Sequence, residues 1–158
     1  MKITRILFVC LGNICRSPAA EAIFQKIAEK TQLPVEVDSA GTSAWHAGEK
    51  ADARMRRHAK EEGYNITSTS RKFLVSDFDD FDVIIAMDDN NYHDLKSMAQ
   101  SIVHEKKIFR MSDFFDHHEY DYIPDPYYGG DAGFKLVIDL LEKGSKGLIE
   151  YIRNNPVD

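Results

Sequence analysis

Two short segments of the sequence carry residues whose types and spacing could support phosphoryl chemistry. In the first, residues 10–18, Arg16 follows six positions after Cys10. A thiolate is a strong nucleophile, and the planar guanidinium of arginine matches two oxygens of a phosphate group. This Cys-x5-Arg spacing predicts transfer of a phosphoryl group to the Cys10 sulfur, with Arg16 stabilising the charge on the phosphate oxygens.

The same segment joins a predicted strand to a predicted helix, which makes it a candidate anion-binding loop. The first amides of a helix lack intrahelical partners, and the helix dipole adds partial positive charge there. Gly12 and Asn13 can adopt backbone angles that turn successive N–H groups inward. Such a loop favours the thiolate form of Cys10. The alternative is that Cys10 is only a buried thiol at the end of a strand.

The second segment, residues 124–130, could supply a proton to a leaving oxygen. Prolines on both sides of Asp125 stiffen the backbone, so this carboxyl is expected on a defined, exposed loop as a general acid. Tyr127 and Tyr128 are amphipathic rings that could wall a pocket for an aromatic substrate. Taken alone, the segment is also compatible with an ordinary turn.

The apolar pattern along the chain predicts alternating strands and helices. Strands are expected over residues 3–10, 35–38, 83–87 and 107–111. Helices are expected over 49–62 and 131–153, one more with Ser17 as its N-cap and Pro18 in its first turn, and one starting at Asp88-Asp89. This order predicts a single-domain α/β fold over residues 1–158: a three-layer αβα, doubly wound, flavodoxin-like arrangement around a four-stranded parallel sheet. Ligands bind such sheets outside the carboxyl ends of the strands, where Cys10, Ser39, Asp88 and Met111 fall.

Composition excludes several classes of function. The chain has 158 residues and a formal net charge of −6, which disfavours nucleic acid and membrane partners. Its two cysteines are too few for a disulfide scaffold or a four-cysteine zinc site. The loop also lacks the Gly-Lys-Ser/Thr of a nucleotide-binding P-loop. We therefore expect a cytoplasmic protein that needs no metal and no cofactor.

Three stretches together resemble the low-molecular-weight protein tyrosine phosphatases. They are Leu-Phe-Val-Cys-Leu-Gly-Asn-Ile-Cys-Arg-Ser-Pro at 7–18, Asp-Ser-Ala-Gly-Thr at 38–42 and Asp-Pro-Tyr-Tyr-Gly at 125–129. With the strand order and chain length, the resemblance covers essentially the whole sequence. It implies hydrolysis of phosphotyrosine in proteins or peptides, and of small aryl phosphates, with inorganic phosphate as product.

The resemblance also implies roles for individual residues. Cys10 would form a phosphocysteine, Arg16 would bind phosphate, and Asp125 would protonate the leaving phenol and then activate water. Ser17 would help the thiolate leave, Asn13 and Ser39 would hold the loop by hydrogen bonds, and Asp88 would pair with the arginine. The remaining residues form the phosphate-binding loop or the walls of the substrate pocket: Leu11, Gly12, Ile14 and Cys15 in the loop, and Leu11, Ile14, Trp45, Tyr127 and Tyr128 in the walls.

Two other functions remain as alternatives. Arsenate reductases share the fold and the Cys-x5-Arg loop, but they need further cysteines after about residue 80, and this chain has none. A non-catalytic module that binds phosphorylated residues would need neither a nucleophile nor an acid.

Cys15 could form a reversible disulfide with Cys10. Some relatives support the loop asparagine with a histidine where this chain has Ser68.

Several other features are expected to carry no chemistry. His117-His118-Glu119 lacks the spacing of a metal site and fits a solvated acidic loop better. Arg54, Arg56 and Arg57 fit a charged outer helix face, with contacts to a phosphopeptide as the less favoured interpretation. Trp45 fits a pocket rim and a core position about equally well.

Overall fold

The computed structural model describes residues 2–116, 120–127 and 129–157. Four strands form one parallel sheet in the order β2-β1-β3-β4, with bounds β1 Thr4–Cys10, β2 Val35–Gly41, β3 Val83–Ala86 and β4 Ile108–Arg110. The helices are α1 Arg16–Thr31, α2 Ala53–Glu61, α3 Asp77–Asp80, α4 Asp89–Met98, α5 Ile102–Glu105 and α6 Asp131–Asn154, and a 3₁₀ turn spans Met111–Phe114. The doubly wound α/β fold predicted from the sequence is confirmed.

Alternate residues of β1 enter two separate cores, which gives the molecule its three layers. Ile6 and Phe8 pack into a core that includes residues of α1 and α6. Leu7 and Val9 point to the opposite face and join a second core with Phe78 of α3 and other apolar side chains. Because successive side chains of a strand alternate between faces, a continuous apolar run is the pattern of a strand buried on both sides.

Most strands and helices begin or end away from their predicted positions. β2 runs on to Gly41, because Ser39 and Gly41 continue the pairing with Phe8 and Cys10 of β1. α2 starts at Ala53 instead of residue 49, since the Asp52 carboxylate caps it by accepting backbone N–H groups. β3 and β4 end at Ala86 and Arg110, so each is shorter than expected.

α1 begins one residue before the predicted cap. The residue at its N-cap is Cys15, with no capping side chain, and Arg16 already belongs to the helix. The prediction that Ser17 caps this helix is therefore wrong. Its buried hydroxyl contacts the side chains of Cys10 and Asn13 in the adjoining loop instead. No helix in the described part of the chain is long and apolar enough to cross a bilayer.

We expect Gly147→Ala to destabilise the fold by about 3 kcal/mol, because a methyl group there overpacks a rigid contact. A Cβ at Gly147 would lie 1.9 Å from the backbone oxygen of Phe114, so α6 would have to move off the 3₁₀ turn. Urea unfolding measures the loss. Gly133→Ala in the same helix is the matched control, because its new Cβ meets no atom of the described residues closer than 3.8 Å. Equal stability of the two variants would contradict this prediction.

Candidate active site

The loop after β1 lies over the carboxyl ends of the strands, where Cys10 is 3% exposed. Neighbouring segments hold its carbonyl groups: Thr42 N–H donates to Cys10 O (2.9 Å) and Ser43 N–H to Leu11 O (2.9 Å). Gly41 lies directly against this loop, and a Cβ there would stand 2.7 Å from Leu11 O. A glycine is therefore needed where β2 meets the loop.

Asn13 gives the loop its sharp turn. Its φ of 55° places it in the left-handed region, which asparagine tolerates better than most residues. The side chain is buried and bonded at both ends: Nδ2 donates to Ser17 Oγ (2.7 Å), and Oδ1 accepts from Arg71 N–H (3.0 Å). These two bonds fix the turn from opposite sides.

Ser17 connects this asparagine to the sulfur. Its Oγ lies 3.0 Å from Cys10 Sγ and 3.4 Å from the carbonyl oxygen of Ala40, and it is fully buried. Because Asn13 already donates to it, the hydroxyl directs its own hydrogen toward the sulfur or toward Ala40 O. A donor placed at the sulfur stabilises the thiolate as nucleophile and as leaving group.

Arg16 is buried beside the loop and held by partners on two sides. Its Nη1 contacts Asp88 Oδ2 at 2.5 Å and donates to Ile123 O at 3.0 Å. Burial alone would lower the pKa of Arg16, but the negative charges of Cys10, Asp88 and Asp125 outweigh it and raise that pKa. The guanidinium is therefore a permanent cation at the floor of the site. The expected pairing of Arg16 with Asp88 is present.

Asp125 stands at the opening of the site on a loop that is anchored to the sheet. Ile123 N–H donates to the carbonyl oxygen of Met87 (2.8 Å), the residue directly after β3. The Asp125 carboxylate accepts from Tyr127 N–H (3.0 Å), and its other oxygen lies 3.8 Å from Arg16 Nη2. With its side chain 45% exposed, the group can exchange protons with water.

A cavity of about 370 Å³ opens above Cys10 between these two loops. Its walls include apolar side chains from both, namely Leu11, Ile14 and Tyr127, together with Ser43, Trp45 and His46 from the segment after β2. Trp45 is 86% exposed, which places it on the rim and not in the core. Tyr128, the other predicted wall, and His117, His118 and Glu119 lie outside the described residues.

Cys15, the second cysteine of the loop, lies in surroundings that disfavour its thiolate form. Burial raises the pKa of the Cys15 thiol, and the nearby charges of Asp52, Cys10 and Asp125 raise it further. Cys15 is therefore a neutral thiol at physiological pH, and nucleophilic chemistry falls to Cys10.

Two residues expected to support the loop contact a third instead. Ser39 Oγ donates to Glu21 Oε1 (2.7 Å), and the Ser68 hydroxyl lies near the same carboxyl group and favours its charged form. Burial raises the pKa of this glutamate, although both hydroxyls work against that effect. The backbone N–H of Arg71 donates to Asn13 Oδ1. Ser39 and Ser68 therefore support the region behind the loop and not the asparagine itself.

Sequence reasoning missed the role of Arg54, which holds the loop that carries Asp125 and Tyr127. Arg54 Nη2 donates to Tyr127 O (2.9 Å), and the guanidinium lies over the rings of Tyr127 and Phe134. Asp52 holds the same guanidinium through both of its oxygens. The apolar stacking partners are far away in sequence, so the charged-face pattern of α2 gave no signal for this contact.

A cysteine at the floor of an anion-binding loop, beside a buried arginine and below a carboxyl group, is the arrangement of a thiol-dependent phosphatase. A family model, Low molecular weight phosphotyrosine protein phosphatase, matches residues 5–157. The chain belongs to this family, whose members are hydrolases. The resemblance recognised in the sequence is thereby confirmed.

Individual relatives agree with this assignment along nearly the full chain. A putative low molecular weight protein-tyrosine-phosphatase of Synechocystis is 42% identical over 92% of this chain and 94% of its own. A crystal structure of an Entamoeba histolytica protein tyrosine phosphatase superposes with a TM-score of 0.94 at 45% identity, covering 98% and 99% of the two chains. A Drosophila arginine phosphatase gives a TM-score of 0.89 at 32% identity, covering 95% and 98%.

Proposed function

We propose that this protein hydrolyses phosphotyrosine through a phosphocysteine formed on Cys10. The observation that carries the proposal is the placement of three groups around one cavity: the Cys10 sulfur at its floor, Arg16 beside it and Asp125 at its opening. An in-line displacement needs a nucleophile on one side of phosphorus and a proton donor for the leaving group on the other.

In the first step the Cys10 thiolate attacks phosphorus, so that an S–P bond forms and the P–O bond to the phenol breaks. Protonated Asp125 gives its proton to the departing oxygen. Arg16 and the loop amides stabilise the charge on the equatorial oxygens. The arginine can do so without leaving its anchors, because Asp88 and Ile123 occupy only Nη1.

In the second step water attacks phosphorus and the Asp125 carboxylate accepts its proton. The S–P bond breaks, inorganic phosphate is the product, and Cys10 leaves as a thiolate. The Ser17 hydroxyl, 3.0 Å from the sulfur, stabilises that thiolate. Every step uses side chains of this chain, so the proposal includes no metal and no cofactor.

The walls of the cavity indicate the class of substrate. Leu11, Ile14, Trp45 and Tyr127 present mainly apolar surface above the sulfur, which fits a flat aromatic ring better than a cationic guanidinium group. We therefore propose phosphotyrosine-containing proteins or peptides as substrates, acted on in the cytoplasm by residues 1–158 as one domain. Nucleic acid and membranes are not part of this proposal.

The leaving group provides the test of the acid. Asp125→Asn should lower turnover of phenyl phosphate by on the order of 10²-fold, because the phenolate leaves poorly without a proton. Turnover of 4-nitrophenyl phosphate should fall much less, since nitrophenolate leaves unaided. Steady-state kinetics on both esters give the comparison. Asp121→Asn, which changes another exposed carboxylate of the same loop, is the control. Equal losses on the two esters would remove Asp125 from this role.

Substrate class is tested separately with paired peptides that carry phosphotyrosine or phosphoarginine. We expect the phosphotyrosine peptide to have the higher kcat/KM. A preference for phosphoarginine would instead align this chain with the Drosophila relative. Arsenate turnover with a thiol donor would favour the reductase alternative, but buried, neutral Cys15 is the only other thiol in the chain.

A further inference from the structure

Residues 70 and 71, here called the strap, cross the outside of the phosphate-binding loop. Its backbone is tied on both edges: Ser70 N–H donates to Glu49 O and Gly48 N–H to Ser70 O, each at 2.8 Å. Arg71 O accepts from Gly41 N–H at the end of β2 (2.8 Å). Ser70 is 5% exposed. These bonds fix where its side chain can reach.

The Ser70 hydroxyl donates to the carbonyl oxygen of Gly12 at 2.9 Å. Other carbonyls of the loop also accept bonds from outside it, and those donors are backbone N–H groups: Thr42 to Cys10, Ser43 to Leu11, Asp52 to Ile14 and Ala19 to Cys15. Gly12 differs in that a side chain holds it. This contact can therefore be removed by one substitution that leaves the backbone of the strap unchanged.

Holding the Gly12 carbonyl also sets the direction of an amide. The C=O of Gly12 and the N–H of Asn13 belong to one planar trans peptide unit, so they point to opposite sides. When Ser70 draws the oxygen outward, the Asn13 N–H turns inward. Arg71 N–H, next along the strap, holds the Asn13 side chain at 3.0 Å. Two successive residues of the strap thus fix two successive residues of the loop.

The strap is itself anchored by charge. The Arg71 guanidinium contacts Asp38 at 3.1 Å and Asp77 at 3.0 Å, and Asp77 is buried. The pKa of Arg71 is raised because these two carboxylates outweigh the effect of burial. The ion pairs of Arg71 therefore persist at any physiological pH. Ser70 therefore acts from a fixed position, which is a requirement for a group that orients another.

We propose that Ser70 is a positioning residue that holds the Gly12–Asn13 peptide in the orientation needed to bind phosphate. This inference rests on the proposed function, because it assigns Ser70 a part in the same anion-binding loop. The hydroxyl does not touch the substrate. It acts through the direction of one amide donor, and so it affects every tetrahedral anion bound over Cys10.

The test compares Ser70→Ala with Ser70→Thr, which keeps the hydroxyl, and with Ser145→Ala as a matched control. Ser145 is a fully buried serine on α6 whose hydroxyl has no hydrogen-bond partner among the described residues, so its loss should not matter. For Ser70→Ala we expect inhibition by inorganic phosphate to weaken about five- to tenfold, as loss of one buried hydrogen bond implies. kcat/KM for 4-nitrophenyl phosphate should fall by a similar factor, and the threonine variant should recover most of both.

A purely structural role would lower the melting temperature and leave phosphate inhibition of the folded enzyme unchanged, and that result would overturn the inference. If Ser70→Ala does not fold, Ser70→Cys keeps the shape with a weaker donor and should show a smaller loss of phosphate affinity. Wild-type phosphate affinity in that variant would likewise overturn it. Wild-type protein in the same assay separates the two claims, because absence of Cys10-dependent turnover there would refute the proposed function itself.

Discussion

Cys10→Ser is expected to lower turnover of aryl phosphates by on the order of 10⁴-fold or more. A serine hydroxyl stays protonated at neutral pH, and among the described residues no side chain within hydrogen-bond reach of Cys10 is a general base that could remove its proton. In the part of the chain that the structure describes, the sulfur has one side-chain partner, Ser17 Oγ at 3.0 Å. A cysteine thiol in general ionises far more readily than a serine hydroxyl, and its thiolate is the stronger nucleophile.

Binding of phosphate should survive this substitution, since Arg16 and the loop amides remain. Calorimetry with inorganic phosphate measures that affinity, and release of 4-nitrophenol measures turnover. Loss of turnover with retained binding identifies Cys10 as the nucleophile. A variant that keeps more than a small percentage of wild-type turnover would contradict the phosphocysteine route.

Rapid-mixing experiments on the wild type should show a burst of phenol equal to the enzyme concentration when the second step limits the rate.

Arg16→Lys is expected to lower kcat/KM for aryl phosphates by on the order of 10³-fold, even though the charge is kept. Lysine offers a single ammonium group, which cannot hold Asp88 and Ile123 O while presenting two parallel N–H groups to phosphate. Most of the loss should fall on kcat, because the charge on the equatorial oxygens changes as the transition state forms. Steady-state kinetics with 4-nitrophenyl phosphate measures both constants.

Arg110→Lys is the matched control for this substitution. Arg110 also pairs with an aspartate, Asp89, and its guanidinium lies over the ring of Tyr92, but it belongs to β4 outside the cavity. It should keep wild-type kinetics. An Arg16→Lys enzyme within tenfold of wild type would show that a positive charge suffices and that the forked geometry does not matter.

Much of the fold follows from local patterns that a single sequence carries. β1 is apolar from Ile6 to Cys10, where both of its faces are buried, and α6 shows an apolar stripe from Phe134 to Ile152. Element ends are less predictable, because they depend on partners elsewhere in the chain. β2 is extended to Gly41 by pairing with β1, which no property of residues 39–41 indicates.

The same division applies to the site. Cys10, Arg16 and Asp125 could be identified because loop chemistry and motif spacing are local. The contacts of Ser70 and Arg71 with the loop join residues 58 positions apart, and those of Arg54 with Tyr127 join residues 73 apart. Side chains of these types are common on surfaces, so only the folded chain distinguishes them. Ser39 shows the reverse case, in which a residue at the expected position bonds to a different partner, Glu21.

The rim of the cavity gives this protein a built-in optical reporter. Trp45 is the single tryptophan of the chain, so intrinsic indole emission arises from one point only, and that point borders the ligand cavity. Because its ring is largely hydrated, emission should lie at long wavelength and shift to the blue when an aromatic ligand displaces water from it. Occupancy of the cavity could then be followed in real time, without a label and without a chromogenic product.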